Sequence, residues 1–271
     1  MDVKTAFLNG DLDEEIYMDQ PEGFIVSGQE NKVCKLNKSL YGLRQAPKQW
    51  HEKFDTCLLE NGFKCSECDK CLYFKNIDDR HVIICLYVDD LLIFGSNLGV
   101  VEKIKTLLKS YFDMKDLGAA NVILGMKISR LNDGISLDQT HYIEKLLKKY
   151  NYGDTKYVTT PFDPSVHLFP TENGNDVCNQ KEYASIIGSL RYVADCTWPD
   201  IAYVVGVLSR FTNKPNITHW HAIDHLMKYL AKTKSYGLFY QITLLLLKGF
   251  VMQTGIHCLE IHYPLLDIFL L

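Results

Sequence analysis

Two adjacent carboxylates, Asp89 and Asp90, stand between two runs of β-prone apolar residues, 82–88 and 91–95. Carboxylates held this close repel one another, and each prefers its proton unless a cation relieves the repulsion. Hard oxygen donors of this kind select Mg²⁺ or Mn²⁺, ions that bridge to substrate phosphates. Taken alone, an Asp-Asp pair reads as a solvent-exposed turn, because Asp tolerates turn geometry and accepts backbone hydrogen bonds. The flanking runs change that reading. Both are apolar almost to the last residue, so Asp89-Asp90 is expected to be the turn of a hairpin, where a buried sheet meets its surface. Strands this apolar are expected to be covered on both faces.

Two other groups have the residue types of metal ligands. Cys65, Cys68 and Cys71 are spaced like ligands but lack a clear fourth donor. His221 and His225 lie one helical turn apart with His219 ahead of them, yet no acidic residue completes an His-Glu-x-x-His pattern. Both groups are read as packing or surface residues.

The elements that must position the carboxylates follow from pattern. Residues 3–8 are strand-like or helix-initiating, and Asn9-Gly10-Asp11 forms a turn. Residues 14–18 are extended, Gln20-Pro21-Glu22-Gly23 turns again, and 33–36 lead into a helix that Pro47 can open and Gly62 can close. Trp50, Phe54, Leu58 and Leu59 are expected on its inner face. A helix over about 100–112 should turn Ile104, Leu107, Leu108 and Tyr111 inward. Residues 121–128 and 134–137 suggest a second hairpin, and 141–150 a basic amphipathic helix. Turn formers crowd 155–181, where a subdomain boundary is placed. Helices are expected over 181–196, 201–210 and 217–230. After Gln241 the chain becomes an apolar tail with little polar periodicity.

Composition bounds these readings. With 271 residues, 47% hydrophobic and 23% charged, the chain is expected to bury a globular core in one or two domains. No apolar run reaches the roughly 18–20 residues that span a bilayer, and the first residues do not read as a signal peptide. Nine cysteines, an odd number, then favour free thiols in an intracellular protein without a membrane partner. A net charge of −4 supplies no bulk attraction for a polyanion, so any nucleic acid would need a local basic groove.

Tyr87-Val88-Asp89-Asp90 resembles the catalytic hairpin of reverse transcriptases. Residues 2–10, starting Asp2-Val3-Lys4, resemble the first carboxylate motif in its copia-type form, and residues 40–50, with Tyr41-Gly42-Leu43-Arg44-Gln45, the template- and nucleotide-handling motif. Leu124-Gly125-Met126, Ser189-Leu190-Arg191-Tyr192, Thr197-Trp198-Pro199-Asp200 and His219-Trp220-His221 are also copia-like. The motifs come in the family's order and the likeness runs to about Tyr240.

The resemblance implies an RNA-directed DNA polymerase of a retrotransposon Pol polyprotein. It implies an α+β fold, a right-hand palm with an antiparallel sheet, incomplete fingers and a helical thumb or connection region. Residues 1–154 would be the palm with partial fingers and the start of the thumb, 155–241 the helical region, and 242–271 a divergent tail. Asp2, Asp89 and Asp90 would be catalytic and would hold two Mg²⁺ or Mn²⁺ ions, Asp90 more weakly. Phe7, Gly42, Arg44, Gln45 and Tyr87 would handle nucleotide and template, Phe7 by crowding a ribose 2′-hydroxyl. Lys48 and Lys53, with Arg44, are candidates for phosphate contact. Leu124, Gly125 and Met126 would support the primer. Partners would be an RNA template, a DNA primer, dNTPs and other parts of Pol, in a cytoplasmic virus-like particle. The family carries more sequence before Asp2 and an RNase H domain after the likeness stops, so truncation at both ends is expected. Two other readings stay open: a remnant that binds nucleic acid or protein without catalysis, and an inert fragment.

Overall fold

Trp50, Phe54 and Leu58 recur at the spacing of one helical face, and Pro47 needs no amide partner in a first turn, so the segment forms helix α1 (Ala46–Glu60). The computed structural model describes residues 1–77, 80–153, 156–171, 179–243, 246–251 and 269–270. In it those three side chains are buried together with Cys57. Leu59 departs from the expectation and is exposed. It follows Trp50 by two and a half turns at about 3.6 residues per turn, which points it away from the core.

Helix α2 (Leu98–Tyr111) starts at Asn97, whose side chain accepts the Val100 amide, an ordinary N-cap. It buries Val100, Val101, Ile104 and Leu108. Leu107 is only half-buried and Tyr111 is exposed, contrary to the expected inner face. Phe112, one residue past the helix end, takes the place in the core expected for Tyr111.

These helices share a core with an antiparallel sheet whose strand order is Lys64–Cys65, Leu72–Ile77, Arg80–Tyr87, Asp90–Gly95, Asp2–Val3, Met114–Lys115. The backbone of Phe269–Leu270 also pairs with Asp90–Gly95. In the hairpin, Val82, Ile84, Leu86, Leu91 and Ile93 are buried against the helices. Ile83, Cys85, Leu92 and Phe94, on the other face, are half-buried, so the expected double cover is only partly met. The period of two along a strand separates the two sets.

Residues 1–120, with 269–270, form one compact unit, and the described residues from Asn121 to Val251 form a second. The division falls after Ala120, and not within 155–181 where turn formers had placed it. The reason is pairing at long range: Gly134–Asp138 lies against Gly237–Gln241, which ties the second hairpin to residues far beyond the turn-rich stretch. The second unit's sheet runs Leu246–Val251, Gly237–Thr243, Gly134–Asp138, Met126–Leu131, Val122–Ile123. Its helices are α3 (Thr140–Lys149), α4 (Gln180–Cys196), α5 (Ala202–Ser209) and α6 (Ile217–Thr233). Tyr183, Leu190, Trp198, Leu208, Leu226 and Leu230 belong to their shared core. Most of the apolar tail expected over 242–271 lies outside the described residues. All strand pairings described are antiparallel, and the described residues hold six α-helices.

One polar residue of the second unit is fully buried for a local reason. His219 Nδ1 accepts the Asn216 amide while the Asn216 side chain accepts the His219 amide, a reciprocal cap at the start of α6. Its Nε2–H then donates to the Phe169 carbonyl at 3.0 Å, and the ring stacks on Phe211 at 3.9 Å. Burial holds the imidazole below its ordinary pKa, opposed in part by the Phe169 carbonyl. The unfolded chain therefore binds a proton that the folded chain refuses, and stability falls as pH drops below about 6.5. Between about pH 7.5 and about pH 5 the protein is expected to lose more stability than a His219→Gln variant, whose side chain can still form the cap. Urea midpoints at the two pH values check this; equal losses would refute it. At constant pH, Leu108→Ala should cost about 3 kcal/mol by cavity formation. Tyr111→Ala should cost less than about 1 kcal/mol, as for an exposed site. The same midpoints read both.

Candidate active site

Asp2 and Val3 form a strand of two residues between the hairpin and Met114–Lys115. Asp2 is paired in register with Asp90 on one side and Lys115 on the other. Residues directly opposite on neighbouring strands point to the same face, so the Asp2 and Asp90 carboxylates are cross-strand neighbours. Like charges in that position destabilise a sheet, and Lys115 offsets only one side of Asp2. All three aspartates are half-buried.

The hairpin turn is displaced by one residue from the expected Asp89-Asp90. Tyr87 pairs with Asp90, which leaves Val88 and Asp89 as the loop and makes Asp90 the first residue of the return strand. Val88 has φ 55°, the left-handed region at the first loop position, where a two-residue hairpin turn usually places Gly. A β-branched residue is strained there. Two hydrogen bonds hold the tip: Trp50 Nε1–H donates to the Val88 carbonyl at 2.8 Å, and the Val3 amide to the Asp89 carbonyl at 2.7 Å. Thus α1 and the first strand both fix the loop that carries Asp89.

The Asp89 side chain faces Tyr41. The phenol donates to the carboxylate with its oxygen 2.7 Å from Oδ1 and 2.8 Å from Oδ2. Partial burial, then the Asp89 hydrogen bond and charge, push the Tyr41 phenol up to about 12, so it remains a donor at neutral pH. The Tyr41 ring lies against Phe7, with centroids 4.3 Å apart. Phe7 belongs to a short 3₁₀ turn, Ala6–Asn9, that Gly10 brings close to α1. A Cβ on Gly10 would fall 2.9 Å from Gln49 Cβ and 3.1 Å from the Trp50 nitrogen. Tyr41 itself sits in a turn closed by the Leu43 amide on the Leu40 carbonyl at 3.2 Å, with Gly42 at φ 98°. That is the type II pattern, which needs φ > 0 at its third residue.

The remaining candidates are placed as follows. Gln45 is half-buried at the N-cap of α1, with its amide 3.4 Å from Glu14, and Arg44 is exposed. Tyr87 is exposed beside the tip. Lys48 pairs with Glu52 at 3.4 Å. Lys53 is held by Asp11 at 2.8 Å, and Lys38 also donates to the Asp11 carboxylate; these hydrogen bonds, Lys38's first, bring Asp11 down to about 2. Lys53 is therefore already spoken for, which the sequence did not suggest. Leu124 and Gly125 form a turn in the second unit, where the Tyr192 hydroxyl donates to the Leu124 carbonyl. The carboxylates and Leu124-Gly125-Met126 thus belong to different units.

Asp2, Asp89 and Asp90 have the donor chemistry for a hard divalent ion, two of them on adjoining strands and the third at the tip. Among the described residues, however, no three Asp, Glu, His or Cys side chains converge closely enough to hold one. Asp89 has both oxygens turned to Tyr41. Tyr41 and Trp50 are the residues that pattern analysis missed as part of this site. The only sequence signal was their place within the residue 40–50 motif. No helix among the described residues is long and apolar enough to cross a membrane.

Residues 1–164 match the family model described as reverse transcriptase (RNA-dependent DNA polymerase). The chain is 48% identical over 243 residues to the retrovirus-related Pol polyprotein from transposon TNT 1-94 of Nicotiana tabacum, covering 86% of this chain and 18% of that protein. It is 39% identical over 239 residues to the retrovirus-related Pol polyprotein from transposon RE1 of Arabidopsis thaliana, covering 88% and 16%. A putative transposon Ty5-1 protein of Saccharomyces cerevisiae is 34% identical over 269 residues, covering 99% of this chain and 85% of that protein. The chain spans less than a fifth of the length of these two Pol polyproteins. No solved structure matches.

The Tyr41 turn yields a test of how the site is positioned. A Cβ on Gly42 would meet nothing within 4 Å, so substitution there is penalised by backbone conformation alone. Gly42→Ala is expected to cost about 1–2 kcal/mol, and Gly42→Asn less, because Asn visits the left-handed region more readily. Urea midpoints check the order; an Ala cost no larger than the Asn cost would mean that the turn is not held in this form.

Proposed function

This chain belongs to the reverse transcriptase (RNA-dependent DNA polymerase) family of copia-type retrotransposon Pol polyproteins, and we propose that it carries the polymerase site of such an enzyme. The reaction is nucleotidyl transfer from a dNTP to a primer 3′-hydroxyl, directed by an RNA template. The observation that carries this reading is the in-register pair Asp2–Asp90 beside a strained tip bearing Asp89. Two carboxylates directly opposite on adjoining strands, with a third at the neighbouring tip, are a liability for stability, and a bound cation gives the arrangement a purpose.

Asp2 and Asp89, with Asp90 beside them, would hold two Mg²⁺ or Mn²⁺ ions. When bound, such ions lower the pKa of an attacking hydroxyl and neutralise the triphosphate and its leaving group. The chain's own residues position the reactants. Phe7 crowds the sugar where a ribose would carry its 2′-hydroxyl. Gly42 lets backbone approach the nucleotide, Gln45 and Tyr87 border the template and nucleotide, and Arg44 is free of the pairing that engages Lys53 and so suits a phosphate. Leu124, Gly125 and Met126 would support the primer.

In architectural terms the first unit would be the palm with part of the fingers, and the helices of the second unit would supply the thumb or connection region. Other parts of the Pol polyprotein and a cytoplasmic virus-like particle would complete its setting. A second reading, a remnant that binds nucleic acid without synthesis, is favoured by one observation: the Asp89 carboxylate is engaged by Tyr41.

Primer extension by the full chain, with an RNA template, a DNA primer, dNTPs and Mg²⁺, separates the two. The polymerase reading expects incorporation that falls at least about a hundredfold in Asp89→Asn and in Asp2→Asn, the scale of losing a metal ligand's charge stabilisation. A folded chain that binds primer–template in a salt-dependent manner but extends nothing would instead establish the remnant.

A further inference from the structure

A bidentate cation on a carboxylate sits near the bisector of its two oxygens. The Tyr41 phenol oxygen, nearly equidistant from Oδ1 and Oδ2 at 2.7 and 2.8 Å, occupies that place on Asp89. The phenol has one proton to give, so the two short distances describe one proton shared between both oxygens. Donor and cation compete for the same lone pairs, and the hydrogen bond has to break before an ion can take both oxygens.

Two features make Tyr41 suited to such an exchange. Its side chain is substantially exposed, at 45%, so the ring has room to turn. Its backbone is set by the Leu40–Leu43 turn and by Gly42, which keeps the residue poised over Asp89 and not elsewhere. The ring also packs on Phe7 at 4.3 Å, so release of the hydroxyl happens beside the residue that would crowd the sugar.

We propose that Tyr41 is a latch on Asp89: its hydroxyl occupies the carboxylate in the ion-free protein and is displaced when a divalent cation binds. The inference rests on reading Asp89 as an ion ligand and adds a competitor for that ligand from the chain itself. Tyr41 is thus a positioning residue, acting on Asp89 and not on the reacting atoms.

The test is Mn²⁺ binding to the full chain, read by electron paramagnetic resonance, in the wild type, Tyr41→Phe, Tyr41→Leu, Asp89→Asn and the Tyr41→Phe/Asp89→Asn double variant. Removing the hydroxyl takes away one competing hydrogen bond, so Tyr41→Phe is expected to bind about three- to tenfold more tightly. Adding Asp89→Asn should abolish that gain. Tyr41→Leu, which also removes the ring, should tighten binding as well, because the hydroxyl is the competitor; a merely structural role would weaken binding in both. Binding that needs Asp89 but is unchanged or weaker in both Tyr41 variants overturns the latch and leaves the ion site standing. Binding indifferent to Asp89 in every background, with urea midpoints confirming folded protein, removes the ion site and the latch together.

Discussion

The first unit's sheet hinges on the backbone register of Asp2 and Val3. These two residues join the hairpin to Met114–Lys115, and their amides and carbonyls leave no freedom in which side chains meet. A slip of one residue would turn Val3 out of the core and Asp2 into it, because strand side chains alternate with a period of two. Burial of Val3 and Ala6 therefore fixes the register, and the register brings Asp2 opposite Asp90. Apolar packing thus sets two like charges opposite one another, and the cation of the proposed function is what that pairing would accept.

The hairpin tip follows the same logic. A left-handed Val88 costs about 1–2 kcal/mol, and the hydrogen bonds from Trp50 and Val3 are each worth about 1 kcal/mol net. The two terms are of similar size, so the tip holds its shape only while α1 and the first strand stay in place. Trp50 does two tasks: its ring packs edge-on against Phe112 at 5.2 Å, and its N–H reaches the turn. The core and the site are consequently joined through one side chain.

Much of this was legible in the sequence. The hairpin declared itself by two apolar runs, and α1, α3 and α4 by spacing and flanking turn residues. What was not legible depends on neighbours distant along the chain. The turn falls at Val88-Asp89 because pairing of Tyr87 with Asp90 sets it, whereas local propensity favoured Asp89-Asp90. Leu59 and Tyr111 sit at the ends of helices, where an apolar residue need not face the core. Tyr41 lies 48 residues from Asp89, and no local pattern marks that hydrogen bond. The family motifs pointed to the segment that holds Tyr41 and to Asp89, but not to a hydrogen bond between them.

The long-range pairing in the second unit bears on how the molecule is made. Gly134–Asp138 is flanked by its hairpin partner at once, but its other edge waits for Gly237–Gln241, about a hundred residues later. During synthesis that edge presents unpaired amides and carbonyls while α3 to α6 are still emerging. The loop that must close is long, which makes the step slow more than it makes the product weak. The helices between the two strands thus form while the sheet they must share a unit with is still incomplete, and the strand that seals the open edge of Gly134–Asp138 is made only after all four of them.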